Sequence, residues 1–160
     1  MKNTIRLEED DTLEFEITDK EGKPTGEVLK FNMDDISLPL KYRDLYFKDK
    51  ENRSWYKKEM LIINKKQDVM DKDDVLSRNQ LESLKITEEF FKKETETYNM
   101  FLGENGVEKL LNHKPLGWES LVKIDKLIKE QIMPILDKHV KSMEDLIKNK
   151  YSIDKEEELI

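Results

Sequence analysis

The chain has 160 residues, 36 acidic against 29 basic side chains, a formal net charge of -7 at pH 7, and 41% charged against 36% hydrophobic residues. That is enough for one thin-cored domain, and the acidic excess argues against wrapping a phosphate backbone as the main task. The chain contains no cysteine, which removes disulfide scaffolds, thiolate zinc sites and cysteine nucleophiles together. The start at Met1-Lys2 runs into charged sequence, and no run approaches the roughly 18 apolar residues of a spanning helix. The expectation is therefore a cytoplasmic protein with neither signal peptide nor membrane segment.

Residues 1–33 alternate between apolar and polar. Ile5 and Leu7, then Leu13, Phe15 and Ile17, then Leu29, Phe31 and Met33 stand two apart, the period of a sheet with one buried face. This predicts three short strands in a meander, with turns at Glu8–Asp11 and at Asp19–Gly26, the latter holding Gly22, Pro24 and Gly26. A sheet of this size needs helices to cover it.

From Asp34 onward the period moves toward 3.6. Pro39 opens a short predicted helix through Phe47, and a second runs from Ser54 to Lys66 with Trp55, Met60, Leu61, Ile62 and Ile63. A mobile polar loop is expected over Gln67–Asp74. Ser77 and Gln80 have capping-box spacing and begin a long helix that ends at Gly103-Glu-Asn-Gly106, read as a helix stop followed by a helix start.

The strongest period comes last. Leu121, Ile124, Ile128, Gln131, Ile135, His139, Met143 and Leu146 are three or four apart, with Ile132, Leu136 and Ile147 widening the stripe. This predicts an amphipathic helix of about seven turns, kinked near Met133 because Pro134 removes one hydrogen bond and crowds the carbonyl four residues back. The fold class is mainly α with a small N-terminal antiparallel β-meander (α+β), a helical bundle with a long, Pro-kinked C-terminal helix. Residues 1–152 form one domain, 1–33 the meander and 34–152 the helical body, and 153–160 are a disordered acidic tail. Charge follows the same division: 1–36 carry 5 basic and 11 acidic residues, 37–152 carry 23 and 21, and 153–160 carry 1 and 4.

Catalytic constellations each lack a part. Gly103-Glu-Asn-Gly106 has neither the lysine and hydroxyl residue of a phosphate loop nor a dinucleotide fingerprint. Asp68, Asp71, Asp73 and Asp74 lack the central glycine and terminal glutamate of a calcium loop. Glu88-Glu89 and Glu94-Glu96 are pairs that a carboxylate-rich chain contains by chance, and His139 falls on an apolar stripe, where a satisfied core histidine is the ordinary case. No catalytic, cofactor or metal site is expected, so the chain is not read as an enzyme. Binding is the remaining class. Its candidate surface is the last helix, with Trp118, Leu121, Ile128, Ile132 and Met143 as partner-binding residues, set beside the alternative that the same stripe packs in the core.

The order of parts carries a resemblance. The segments IRLEEDDTLEFEI, EVLKFNMDDISLPLKY, EFFKKETETYNMFLGENGVEKLLN and PLGWESLVKIDKLI, with a helix containing IMPIL, resemble the tail assembly chaperone-like proteins of long-tailed phages and prophages of Gram-positive bacteria over about residues 3–152. The most distinctive stretch is Tyr98-Asn-Met-Phe-Leu-Gly-Glu-Asn-Gly-Val107, where a helix ends in Phe-Leu-Gly and a short helix follows. The chain also has no alanine and 25 lysines to 4 arginines, which fits an AT-rich host. The resemblance implies a morphogenesis factor of the host cytoplasm, absent from the mature virion. It would hold the tape measure protein soluble and help recruit major tail protein, without nucleic acid, membrane or cofactor, and with self-association open to the same stripe. The alternatives are a structural tail-completion or connector component and a phage-encoded inhibitor of a host defence protein.

Overall fold

The alternation at the N-terminus yields two strands, β1 (Thr12–Thr18) and β2 (Pro24–Asn32), paired antiparallel with Leu13 opposite Phe31 and Phe15 opposite Leu29. The computed structural model describes residues 2–5, 12–138, 141 and 145. Among the described residues the sheet has two strands where a three-stranded meander is expected: residues 2–5 are not in a strand and Ile5 is exposed, while Leu7 and the turn expected at Glu8–Asp11 lie outside the described residues. The turn after β1 is held by Asp19, whose Oδ1 accepts from the amides of Glu21 and Lys23 at 2.9 Å each.

Helix α1 (Leu38–Asn64) is a single run of 27 residues, where the sequence predicts two helices. Its inward positions Leu38, Tyr42, Leu45, Asp49, Asn52, Tyr56, Glu59 and Ile63 step regularly by four and three and are buried or half-buried. The seam therefore passes unbroken through polar side chains, which is why an apolar count stops at Phe47 and starts again at Trp55. Asp35 holds the start: its carboxylate accepts from the Ser37 amide at 2.9 Å, the Ser37 hydroxyl at 2.6 Å and Lys41 Nζ at 2.8 Å. The Lys41 ammonium and the Ser37 donors hold its pKa down at about 2.

Helix α2 (Arg78–Leu102) returns antiparallel to α1. It opens with the expected capping box, the Gln80 amide on Ser77 Oγ at 3.2 Å and the Ser77 amide on Gln80 Oε1 at 2.9 Å. The connection before it is tied down, against the expectation of a mobile loop. Asp68 accepts from the Asn79 amide at 3.1 Å, Asp71 pairs with Arg78 at 2.9 Å, and Asn79 Nδ2 caps the end of α1 on Lys66 O at 3.0 Å. Those aspartates spend their oxygens on backbone and guanidinium groups.

The Gly103 stop stands as predicted. Gly103 takes φ 96° and its amide closes α2 on Asn99 O at 2.9 Å. The short helix α3 (Gly106–Leu110) then starts under the Asn99 side chain, whose Oδ1 accepts from the Val107 amide at 2.8 Å while Nδ2 donates to Glu108 at 3.1 Å. An Asn99→Ala variant is expected to lose about 1–2 kcal/mol through this uncapped start. An unchanged urea midpoint would show that α3 does not need the cap.

Helix α4 (Trp118–Leu127) runs into one π-helical turn, Ile128–Ile132, and residues 133–138 are again helical. The Met133 amide bonds Ile128 O, five residues back. This wide turn stands just ahead of Pro134, where a proline ring would crowd the preceding turn of a regular helix. It also rotates the buried face. Leu121, Ile124, Ile128, Ile132 and Leu136 are buried, whereas Gln131 and Ile135, assigned to the stripe by a uniform 3.6 period, are exposed. His139, Met143, Leu146, Ile147 and the tail 153–160 lie outside the described residues.

One core joins these parts. The inner sheet residues Ile17, Leu29 and Phe31 meet Phe101, Leu102 and Val107, with Phe31 and Tyr42 against Phe101 at 5.4 and 5.7 Å between ring centroids. The face of α4 and its extension completes it. The cover that a two-stranded sheet requires is therefore the C-terminal end of α2 together with α3 and the last helix.

Candidate functional site

Helix α2 has two faces of different character. Inward stand Phe90, Glu94, Thr97, Tyr98 and Phe101, all buried. Outward, Leu84, Phe91 and Thr95 line an open groove of about 620 Å³, walled on its far side by Pro115 and Leu116. Thr87 and Thr95 also line it, and both turn their hydroxyls onto backbone oxygens one turn back, Ser83 O and Phe91 O, at 2.8 Å. They therefore add little polarity. The far wall exists because Asn112 and His113, at φ 53° and 61°, turn the chain back after α3. Gly117 then starts α4, its amide on Ser120 Oγ at 2.8 Å.

Trp118 stands beside this groove, packed on Phe91 of its lining. Its ring lies 4.7 Å from Phe91, 5.4 Å from Phe90 in a stacked arrangement and 5.5 Å from Tyr56, yet 51% of the residue remains exposed. It pins the start of α4 to α1 and α2 and also presents an aromatic face to solvent. Aromatic residues of this kind are the usual anchors of a binding surface.

The groove carries a charged edge. Glu88 and Glu96 on α2 and Glu108 on α3 line it, against the single lining cation Lys92.

The remaining sequence-predicted residues lie elsewhere. Leu121, Ile128 and Ile132 are 5%, 1% and 1% exposed and belong to the core, so the C-terminal stripe is corrected from partner surface to packing face over its described length. Met143 lies outside the described residues. A stripe this regular was the ordinary signature of a core face, the alternative set beside it above.

A second cluster was not visible as a site in the sequence. Glu94, fully buried, accepts from Asn52 Nδ2 at 2.7 Å, and the same amide reaches Thr97 Oγ1 at 3.0 Å. Its other oxygen finds no donor and faces the Asp49 carboxylate, which is held by Arg53 Nε at 3.2 Å. Burial, then the Asp49 carboxylate, push the Glu94 pKa up to about 8, and the neutral acid can donate to Asp49 where a carboxylate could not. Next to it Tyr98 donates to Asp125 at 3.4 Å, and Asp125 pairs with Lys129 at 2.9 Å. Burial raises the Tyr98 pKa as well. The available signal was a glutamate at an inward step of α2, between Phe90 and Thr97.

Among the described residues no group of three His, Cys, Asp or Glu side chains could hold a metal ion, and no helix is long and apolar enough to cross a membrane. What the outer face of α2 offers is an apolar floor and an acidic edge with an exposed aromatic ring beside them, the parts of a binding groove. No protein-family model, curated protein or solved structure matches this chain.

Proposed function

We propose that this chain is a phage tail assembly chaperone, a binding protein that keeps apolar helical segments of a tape measure protein soluble and helps gather major tail protein around them. The resemblance over residues 3–152 supports the family. The observation that carries the mode of action is the open groove along α2, with Leu84 more than half exposed at one end and the half-exposed Trp118 packed on Phe91 beside it. An amphipathic helix lays its apolar face into such a groove through anchors one turn apart, and no covalent bond is made or broken. Burying one Leu-sized side chain contributes about 1.5–3 kcal/mol, so a few anchors give a modest affinity that tail assembly can reverse. This function belongs in the host cytoplasm and not in the finished particle.

Co-expression with a helical tape measure fragment is expected to raise the soluble yield of that fragment. Leu84→Arg is expected to abolish the gain while leaving the circular dichroism spectrum intact, since Leu84 is 56% exposed and outside the core. Equal yield with and without the chain would remove the proposal. Mass spectrometry of purified virions separates an assembly factor, absent there, from a connector component that stays.

A further inference from the structure

The acidic edge of the groove is not the average of the chain around it. Residues 37–152 carry 23 basic and 21 acidic side chains, yet the groove is lined by three glutamates and one lysine. Glu88 and Glu96 are eight residues apart on one face of α2, about 12 Å along the axis, with Lys92 one turn from each, and Glu108 of α3 stands at the Asn99 end, where its carboxylate accepts from Asn99 Nδ2 at 3.1 Å. The groove runs from Leu84 to Asn99, about 22 Å or four helical turns. Its floor is Leu84 and Phe91, with Leu116 on the far wall. The surface is therefore apolar along its length, with an excess of negative charge along α2 and at the Asn99 end.

From this geometry we infer that the groove takes an amphipathic helix of about four turns whose apolar stripe is flanked by lysines or arginines. The inference deepens the binding role proposed above and rests on it. Cations seven or eight residues apart on one edge of such a helix meet Glu88 and Glu96, and a cation at the end of the helix meets Glu108. An acidic helix of the same hydrophobicity is repelled at the same places. Charges at an exposed rim act chiefly on selectivity and encounter rate, and they weaken with salt. The apolar floor supplies the salt-independent part.

The test uses the full chain and two synthetic helices of about 18 residues with the same leucine stripe, one edged by lysine and one by glutamate, followed by calorimetry. The lysine-edged helix is expected to bind about tenfold more tightly at about 50 mM salt, with the gap closing at about 500 mM. A Glu88→Lys/Glu96→Lys variant, checked for an unchanged circular dichroism spectrum, is expected to reverse the order. The milder Glu88→Gln/Glu96→Gln variant is expected to erase it. Equal binding of both helices, lost together in Leu84→Arg, would overturn the charge assignment and leave the groove as a binding site. Binding by neither helix, or binding untouched by Leu84→Arg, would overturn the groove itself.

Discussion

Raising the pH from about 5.5 to about 9 is expected to destabilise this protein by roughly 3 kcal/mol through Glu94 alone, and Glu94→Gln is expected to remove most of that loss. The Glu94 pKa lies near 8 in the fold against an ordinary 4.5. Between those values the folded state keeps a proton that the unfolded chain gives up. A raised carboxyl pKa therefore stabilises fully below about 4.5, and the contribution is lost as pH rises through about 8. The groups that meet Glu94 set this: Asp49 and Arg53 on α1 with Asn52 between them, Thr97 and Tyr98 on its own helix, and beyond Tyr98 the Asp125–Lys129 pair.

Glutamine keeps the shape of Glu94, still accepts from Asn52, and offers Asp49 a permanent N–H donor. For a chain of this length the wild-type midpoint should fall by about ten degrees over the alkaline range, and that of Glu94→Gln by much less. Differential scanning calorimetry at a series of pH values checks both curves. A flat wild-type curve, or a variant less stable than wild type at pH 9, would show that Glu94 is charged in the fold. At the acid end the slope reverses, because Asp35, Asp68 and Asp71 have lowered pKa values and lose their stabilising contribution as they protonate.

The same seam explains where sequence reading failed. Leu13, Phe15, Leu29 and Phe31 alternate toward the core as an apolar count predicts, and Ser77 with Gln80 and Gly103 mark the ends of α2 because capping chemistry is local. Helix α1 escaped because Asp49, Asn52 and Glu59 occupy inward steps. Asn52 is satisfied there by the facing Glu94 carboxyl and Thr97 hydroxyl of α2, which lie 42 and 45 residues away in sequence. The π turn escaped for a related reason: one extra residue in a turn leaves the composition unchanged but moves the buried face from Gln131 and Ile135 to Ile132 and Leu136. Of the candidate surface only Trp118, beside the groove, was legible. The groove is assembled from the outer face of α2, from α3 and from Pro115-Leu116, and no single stretch of sequence carries its pattern.

Gly106→Ala is expected to cost about 2–3 kcal/mol although its φ is not among the positive ones, a loss of the same order as that of Gly103→Ala. At Gly103 a Cβ meets nothing within 4 Å, and the cost is that of φ 96° and ψ 176°, a region open essentially to glycine alone, about 1–3 kcal/mol. At Gly106 a Cβ would stand 2.5 Å from Leu102 Cβ, with Asn99 Oδ1 and Leu29 Cδ2 both at 3.6 Å, so there is no free side into which it could move. Relief requires α3 to shift away from α2, which breaks the Asn99–Val107 cap and lifts Val107 and Leu102 from the core they share with the sheet. The clash is with Leu102 Cβ, which alanine retains, so Leu102→Ala should not rescue Gly106→Ala and the two costs should at least add. Urea titrations of the four proteins decide it. Rescue in the double variant would place the crowding on the outer atoms of Leu102, and a loss for Gly106→Ala below about 1 kcal/mol would show that α3 yields without cost.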